Sequence, residues 1–265
     1  MSKVQIMGIF NITPDSFYDG YKNKRLTPVK VQEKFKKIID ADIIDVGGES
    51  TRPGSKKVEF DREIKRIEVL TEIVRNNSNL FSIDTYKYEV AKYALENGYR
   101  MINDIYAGRY DPRIFELTSD YKTPIVLMHM NGNPENMQVN IKYDSIIDNI
   151  IDFFEERVKI ALSYGIPHEN IILDPGIGFG KTSKDNFMII KHLEDFKKLG
   201  YKILLGISRK SFLTFNNNKP EERLAATLSM NTIAMLKGVD ILRVHDVVDT
   251  MSAVNAINNY IKIAK

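Results

Sequence analysis

Short apolar segments recur at similar intervals along the whole 265-residue chain. They are rich in Ile, Val and Leu, and they lie at residues 4–10, 42–46, 80–84, 99–103, 124–130, 170–174, 201–208 and 240–245. The stretches between them carry apolar residues at helical spacing, as in residues 143–165. Continuous apolar strands that alternate with helices are typical of a parallel sheet covered on both faces. Eight such units in about 250 residues predict a closed (β/α)₈ TIM barrel.

The same alternation would also arise in a doubly wound open sheet, which is the alternative fold. No linker or shift in composition divides the chain. We therefore expect one domain that spans residues 1–265.

Composition narrows the classes of function. Lys and Arg total 38 against 35 acidic residues, and the net charge of +3 is spread along the chain. This pattern argues against nucleic-acid binding. The chain has no cysteine, which excludes disulfides, thiolate catalysis and cysteine metal sites. The N-terminus lacks a secretory signal, and no run approaches the roughly 18 apolar residues of a membrane span. We expect a cytoplasmic protein without a membrane partner.

Unusual polar residues gather at the carboxyl ends of the predicted strands. They are Asn11, residues 47–54, Asp84, Asn103, His129, Asp174, residues 208–211 and His245. In a barrel these strand ends form one rim, where active sites of this fold are assembled. Helix N-caps explain an isolated Asp, Ser or Asn there, but not an Arg, a Lys and two His. The sequence therefore predicts a functional site at this rim.

A polar loop follows the first predicted strand. Residues 10–20 read FNITPDSFYDG and hold more polar side chains, among them Asn11, Asp15 and Ser16, than an ordinary turn needs. We expect this loop to contact a ligand.

A glycine-rich segment follows the second predicted strand. Residues 45–58 read DVGGESTRPGSKKV and place Thr51 and Arg52 among glycines. Such a loop can gather backbone N–H groups and a guanidinium around an anion. A flexible loop with a solvated arginine is the alternative.

The segment after the sixth predicted strand carries a carboxylate. Residues 172–182 read ILDPGIGFGKT, but Pro175 stands where the first glycine of a GxxxxGK[ST] phosphate loop is required. Asp174 could accept two parallel hydrogen bonds from an N–C–NH₂ edge of a heterocycle, and the glycines would let Phe179 fold back over the rim. A simple turn residue before proline is the alternative role for Asp174.

Basic residues follow the seventh predicted strand. Arg209, Lys210 and Ser211 lie where a helix should begin, and a helix N-terminus beside a lysine favours a carboxylate or a phosphate. The alternative is a solvated basic pair with a serine N-cap.

Strand eight carries Arg243 and His245 on the same side. In a barrel that side is the interior, where an unpaired arginine would be costly. An anionic ligand would remove this cost, and an internal salt bridge is the alternative.

The oxygen-bearing side chains at the rim suit a hard cation such as Mg²⁺, held partly by substrate phosphates. The HxxxH and HExxH metal motifs and the GxSxG nucleophile elbow are absent from the sequence. We therefore expect His129 to pack or to position other groups rather than to bind zinc.

Eight motifs in order carry a family resemblance that runs from residue 7 to residue 247. They are MGIFNITPDSFYDG, DIIDVGGESTRPG, SIDT, MINDI, LMHM, ILDPGIGFGK, GISRKSF and ILRVHDV. Together they closely resemble the motif series of the dihydropteroate synthase family. The resemblance implies a (β/α)₈ barrel, often dimeric, that joins 4-aminobenzoate to 6-hydroxymethyl-7,8-dihydropterin diphosphate. The products would be 7,8-dihydropteroate, a folate precursor, and diphosphate.

The resemblance also implies roles for matching residues. The pterin would contact Asp84, Asn103, Met128, Asp174, Lys210 and Arg243. The diphosphate would contact Asn11, Thr51, Arg52, Arg243 and His245, with Asn11 also reaching Mg²⁺. The aminobenzoate would contact Ser16, Phe17, Pro53, Phe179 and Ser211. The catalytic set would be Asp15, Arg52, Asp84, Asp174 and Lys210.

The implied reaction needs no protein nucleophile. We expect a dissociative substitution, in which diphosphate leaves with the help of Mg²⁺ and the pterin delocalises the resulting cation. Two other interpretations remain: a pterin-dependent methyltransferase domain, and a catalytically silent pterin-binding homologue. The methyltransferase would not need the pair Arg52 and Pro53, and a silent homologue would be expected to have lost rim residues.

Overall fold

The structure is a computed structural model that describes residues 3–13, 28–51 and 54–263. Eight parallel strands close into a barrel in sequence order, with β8 paired to β1. The strands are β1 (Gln5–Asn11), β2 (Ile43–Gly47), β3 (Leu80–Asp84), β4 (Met101–Asp104), β5 (Ile125–Met128), β6 (Ile171–Asp174), β7 (Lys202–Leu205) and β8 (Ile241–Val244). The predicted (β/α)₈ TIM barrel is therefore confirmed, and the alternative of an open sheet is wrong.

Helices separate the strands along the chain. They are α1 (Pro28–Lys36), α2 (Phe60–Ile67), α3 (Thr71–Asn76), α4 (Tyr88–Glu96), α5 (Arg113–Tyr121), α6 (Ile146–Ser163), α7 (Ser183–Lys191), α8 (Leu193–Lys197), α9 (Leu224–Leu236) and α10 (Val247–Ile263). Short 3₁₀ helices lie at Glu68–Leu70, His168–Asn170, Ser211–Leu213 and Pro220–Arg223. Within the described ranges, no helix is both long and apolar enough to cross a membrane.

Two layers of apolar side chains fix the barrel. The larger core lies between the strands and the surrounding helices and includes an aromatic series of Phe10, Phe35, Phe81 and Tyr99. A smaller cluster fills the inside of the barrel with Met7, Ile43, Met101, Val126, Ile172, Leu204 and Ile241. Since this interior cluster is packed with side chains, the barrel is not a pore.

One predicted helix is much shorter than expected. The segment that begins at Ser211 forms a single 3₁₀ turn, Ser211–Leu213, and the next α-helix begins only at Leu224. The prediction that a full helix starts after Arg209 and Lys210 is therefore wrong. A three-residue turn sums few peptide dipoles, so its N-terminus attracts an anion less than a full helix would.

Helix α7 begins with a capping box. The Thr182 hydroxyl accepts a hydrogen bond from the Asp185 N–H at 3.2 Å, and the Asp185 carboxylate accepts from the Thr182 N–H at 2.8 Å. We expect Thr182→Ala to lower the free energy of unfolding by about 1 kcal/mol, because it leaves a helix N–H without its partner. Urea denaturation would measure the change, and Thr182→Ser is the control that keeps the hydroxyl. Equal stability of the Ala variant and the wild type would contradict this role.

Candidate active site

A guanidinium lies between two carboxylates inside the mouth of the barrel. Arg243 Nε donates to Asp45 Oδ2 and Arg243 Nη2 donates to Asp84 Oδ2, each at 2.7 Å. Asn103 Nδ2 also donates to Asp45 Oδ2, at 3.0 Å. Arg243 was expected either to meet an anionic ligand or to form an internal salt bridge, and the salt bridge is what the structure contains.

The strand pleat explains why these side chains meet. In a strand, residues two apart share a face. Five residues of the interior apolar cluster are each followed, two positions later, by a polar or sulfur-bearing side chain at the mouth. These five mouth residues are Asp45, Asn103, Met128, Asp174 and Arg243. The apolar cluster therefore forms a floor, and the candidate site lies directly above it.

Burial makes the two central carboxylates unusual. Asp84 is 7% exposed, and its Oδ1 has no hydrogen-bond partner within the described part of the chain. Asp45 is completely buried, and its Oδ1 is in the same situation. Burial raises the pKa of Asp84 to about 7, while the nearby Arg243 opposes the shift. A buried acceptor without a protein partner is costly, and a ligand N–H group would satisfy it.

A second charged pair lies across the mouth on β6 and the loop after β7. Asp174 Oδ1 accepts from the Gly176 N–H at 2.7 Å, and burial raises the pKa of Asp174 while Lys210 opposes the shift. Lys210 Nζ donates to the Ile177 carbonyl oxygen. Burial lowers the pKa of Lys210 to about 8, while Asp174 opposes the shift. The pair offers an acceptor and a donor beside each other.

Apolar groups flank the polar mouth. Met128 is 3% exposed and lies in a cluster with Tyr86, Met130 and Met137, against which Phe179 packs. Lys210 Nζ lies 4.8 Å from the centre of the Phe179 ring. Gly176, Gly178 and Gly180, which follow Asp174, all have positive φ. A flat heteroaromatic ligand fits such a combination of apolar faces and edge-directed polar groups.

The carboxyl ends of β1, β2 and β3 pair side by side, with Gly47 between Asn11 and Asp84. A β-carbon placed on Gly47 would lie 2.9 Å from Asn11 Oδ1 and 3.6 Å from Asp84 Oδ2. Only glycine leaves this space open. The amide oxygen of Asn11 therefore lies close to Asp84, which is a predicted pterin contact. Asn11 itself is the residue predicted to contact the cation and the diphosphate.

His245 follows β8, the other neighbour of β1 in the barrel, and its Nδ1 lies 3.0 Å from Ser208 Oγ. Thr51 is half-buried on the loop after β2. Five predicted site residues, Asp15, Ser16, Phe17, Arg52 and Pro53, lie outside the described residues.

The two basic residues predicted after β7 have different surroundings. Arg209 forms an ion pair with Asp246, with Nε 2.9 Å from Oδ2, and is therefore not directed at the barrel mouth. Lys210 alone points into it. Ser211 is exposed at the start of its 3₁₀ turn.

His129 is held in a buried polar contact. Its Nδ1 lies 2.9 Å from Lys181 Nζ, and its Nε2 lies 3.2 Å from Asn149 Oδ1. Burial and, to a smaller extent, the positive charge of Lys181 together lower the pKa of His129 to about 2. These contacts are consistent with the prediction that His129 packs or positions other groups. Among the residues that the structure describes, no group of three or more His, Cys, Asp and Glu side chains could hold a metal ion.

Asp45 is the site residue that the sequence reasoning missed. It stands in the middle of the apolar strand β2, where a charged residue is unexpected. That position was the available signal, because a buried carboxylate in a barrel strand needs a partner. The partner, Arg243, lies 198 residues away in sequence, so spacing alone could not reveal it.

Comparison with known proteins identifies the family. The sequence profile described as "pterin binding enzyme" matches residues 7–245. Dihydropteroate synthase of Bacillus subtilis is 43% identical over 249 residues, which are 92% of this chain and 84% of that relative. The chain belongs to the dihydropteroate synthase family. It is accordingly a transferase.

Solved dihydropteroate synthases share the fold over nearly their full length. A Yersinia pestis dihydropteroate synthase in complex with a sulfonamide drug has a TM-score of 0.91 and 34% identity, covering 100% of this chain and 96% of that one. A Xanthomonas albilineans dihydropteroate synthase with 4-aminobenzoic acid has a TM-score of 0.90 and 35% identity, covering 98% and 93%. The predicted family is therefore confirmed.

The lowered pKa of Lys210 predicts how turnover of this dihydropteroate synthase family member depends on pH. Loss of the ammonium proton weakens a charged donor, so kcat/KM should fall as the pH rises through about 8. A Lys210→Arg variant keeps its charge at that pH and should lose this alkaline decrease, whatever its absolute rate. The measurement is kcat/KM as a function of pH from about 6 to about 10, a range that brackets this pKa. An identical decrease in both proteins would exclude Lys210 as its source.

Proposed function

We propose that this chain condenses 6-hydroxymethyl-7,8-dihydropterin diphosphate with 4-aminobenzoate to give 7,8-dihydropteroate and diphosphate. The observation that carries the proposal is the mouth of the barrel, where Asp84 and Asp174 offer buried acceptors and Lys210 offers a donor. A pterin presents an N–C–NH₂ edge with donors beside ring acceptors, and this arrangement matches it. The relatives' names support the same reaction.

In the proposed mechanism the protein orients the substrates and stabilises charge. Asp174 accepts from the amidine-like edge of the pterin, and Lys210 donates to a ring acceptor. The bond between the pterin methylene and the diphosphate oxygen breaks, and its electron pair leaves with the diphosphate. The positive charge spreads into the pterin, where the carboxylates of Asp45 and Asp84 stabilise it electrostatically.

The second half of the reaction needs no protein nucleophile. The aniline nitrogen of 4-aminobenzoate attacks the methylene cation and then releases a proton to water or to the departing diphosphate. Phe179 and Met128 would exclude water that could otherwise capture the cation. Ser211, Ser16, Phe17 and Pro53 remain the proposed contacts of the aminobenzoate, and Asp15 remains a proposed catalytic residue.

The diphosphate would be bound by Asn11, Thr51, Arg52, Arg243 and His245. The oxygen of Asn11 beside Gly47 fits one ligand position of Mg²⁺, since this ion prefers oxygen and takes its remaining ligands from phosphates and water. When bound, Mg²⁺ would neutralise negative charge on the leaving group.

Further proposals follow from the family. We propose that residues 1–265 form one domain, that the protein is a cytoplasmic homodimer, and that sulfonamides compete with 4-aminobenzoate. A Yersinia pestis relative has been solved with a sulfonamide, which supports the last point. Sedimentation at several concentrations would test the dimer.

The decisive experiment measures diphosphate release by purified protein given the pterin diphosphate. It is run with and without 4-aminobenzoate, in Mg²⁺ and then in excess chelator, with dihydropteroate detected by mass. Release that requires both 4-aminobenzoate and Mg²⁺ is the expected result. Tight pterin binding without turnover would instead favour a silent homologue or a methyltransferase domain.

A further inference from the structure

One carboxylate bridges two described parts of the segment between β2 and α2. Glu49 Oε2 accepts from the Val58 N–H at 2.9 Å, which joins the two ends of the segment that contains Thr51. Glu49 Oε1 accepts from the Tyr86 hydroxyl at 2.7 Å, and Lys87 Nζ donates to Glu49 Oε2. Glu49 is 8% exposed and Lys87 is 4% exposed. Three donors from two separate chain segments therefore hold one buried side chain.

Lys87 joins this carboxylate to helix α2. Its Nζ also donates to Glu63 Oε2, and Glu63 is completely buried. Burial raises the pKa of Glu63, while the positive charge of Lys87 opposes the shift. One lysine thus stands between two glutamates, and a proton on Glu63 would leave this group, Glu49, Glu63 and Lys87, electrically neutral.

The residue before Glu49 is held from the other side. A β-carbon on Gly48 would lie 2.7 Å from Glu63 Cγ, so only glycine allows α2 to pack this closely. Arg66 Nη1 donates to the Gly48 carbonyl oxygen at 2.6 Å. The chain therefore leaves β2 along a path that α2 fixes before the loop begins.

Lys57, near the end of the loop that precedes α2, contacts a tyrosine that packs against Tyr86. Lys57 Nζ donates to the Tyr110 hydroxyl and lies 4.6 Å from the centre of that ring. The rings of Tyr110 and Tyr86 pack edge to face with their centres 4.7 Å apart. Glu49 at the start of the loop and Lys57 near its end thus contact residues that follow β3 and β4, beside the candidate pterin site.

We propose that Glu49 is a positioning residue of the reaction, which holds the β2–α2 loop so that Thr51 is presented to the diphosphate. This inference rests on the proposed function. Buried ion pairs are seldom more stabilising than apolar residues of similar size. A group of three buried ionisable side chains is therefore better explained by control of loop geometry than by stability alone.

The test compares three variants of the full-length protein. Glu49→Ala removes all three contacts of the loop with Tyr86, Lys87 and its own far end. In Glu49→Gln the single side-chain oxygen can still accept from the Val58 N–H, and the NH₂ group can donate to the Tyr86 hydroxyl oxygen. The variant leaves Lys87 paired with Glu63. Glu63→Gln is the matched control, because it removes a buried carboxylate from the same lysine without releasing the loop.

The first measurement does not depend on catalysis. Hydrogen exchange of peptides that cover residues 48–58 should accelerate by about tenfold to a hundredfold in Glu49→Ala, since hydrogen bonds to a charged group are lost. In Glu63→Gln the same peptides should exchange within about twofold of the wild-type rate, since the loop's own hydrogen bonds remain. Unchanged exchange in Glu49→Ala would overturn the proposal.

The second measurement separates positioning from folding. Glu49→Ala should lower kcat on the order of a hundredfold through misplacement of the loop, and Glu49→Gln should recover most of it. The affinity for 6-hydroxymethyl-7,8-dihydropterin, which has no diphosphate, should stay within about twofold, because none of its proposed contacts lies on the β2–α2 loop. Equal losses of pterin affinity and turnover would point to a general structural role and overturn the proposal. If the wild type forms no dihydropteroate, the proposed function fails, whereas the exchange result still judges the loop anchor.

Discussion

Arg243→Met is expected to lower the free energy of unfolding by about 3–5 kcal/mol, because it leaves two buried carboxylates without their cation. Asp45 and Asp84 each accept a hydrogen bond from this guanidinium at 2.7 Å. In the fraction that still folds, kcat/KM should fall by about a hundredfold or more through loss of charge stabilisation. Urea denaturation and steady-state kinetics measure the two effects separately.

The penalty in this variant should depend on pH. Without Arg243, the pKa of Asp84 in the folded protein rises further above its unfolded value. An acid whose pKa is raised by folding binds more protons in the native state, so stability falls as the pH rises between the two values. The Met variant should therefore be closest to the wild type at acid pH. Arg243→Lys keeps a charge but cannot reach both carboxylates with one planar fork, and it should give an intermediate loss. Unfolding of the Met variant within about 1 kcal/mol of the wild type would show that the pair does not carry this stability.

Asp174→Asn should weaken pterin binding and turnover far more than it weakens the fold. Two hydrogen bonds to a charged acceptor are worth roughly 1.5–3 kcal/mol each, so kcat/KM should fall by about 10²- to 10⁴-fold. The asparagine Oδ1 can still accept from the Gly176 N–H, so the unfolding free energy should change little. Loss of the Asp174 charge should also lower the pKa of Lys210 and move the alkaline decrease in kcat/KM to lower pH.

Asp104→Asn is the matched control for this prediction. Asp104 is another buried carboxylate at a strand end, and burial raises its pKa to about 6. Its oxygens accept from the Tyr106 and Gly108 N–H groups of its own loop. The control should therefore alter stability without changing the affinity for 6-hydroxymethyl-7,8-dihydropterin, measured by calorimetry. A similar loss of affinity in both variants would mean that Asp174 does not contact the pterin directly.

The order of elements could be predicted because each strand is mainly apolar and the helices carry apolar residues at helical spacing. The pairing of Arg243 with Asp45 could not be predicted, because 198 residues separate them and only closure of the barrel brings them together. The prediction of a helix after Arg209 was wrong because local charge and a serine suggested an N-terminus. The chain instead forms two short 3₁₀ helices before α9 begins at Leu224. Local signals mark the ends of elements poorly when tertiary contacts decide their length.

The sequence predicted that the candidate site residues lie at strand ends, but it did not predict which side chains contact one another. Asp84, Asn103, Asp174 and Lys210 follow from the rule that barrel sites form at the carboxyl ends of strands. The contact of Glu49 with Lys87 does not follow from that rule, because its partners lie 38 residues apart and each looks like an ordinary charged loop residue. Buried pairs of this kind become visible only when the packing of α2 against its loop is known.

The apolar floor beneath the site determines the route by which ligands enter and leave. Because Met7, Ile43 and their neighbours plug the interior of the barrel, whatever reaches Asp174 must arrive through the same opening by which it departs. A molecule seated at the outer edge would then stand in the way of the one below it. Binding should therefore be ordered, with the inner ligand binding first and dissociating last. An outer ligand should lengthen the residence time of an inner one even without direct contact between them.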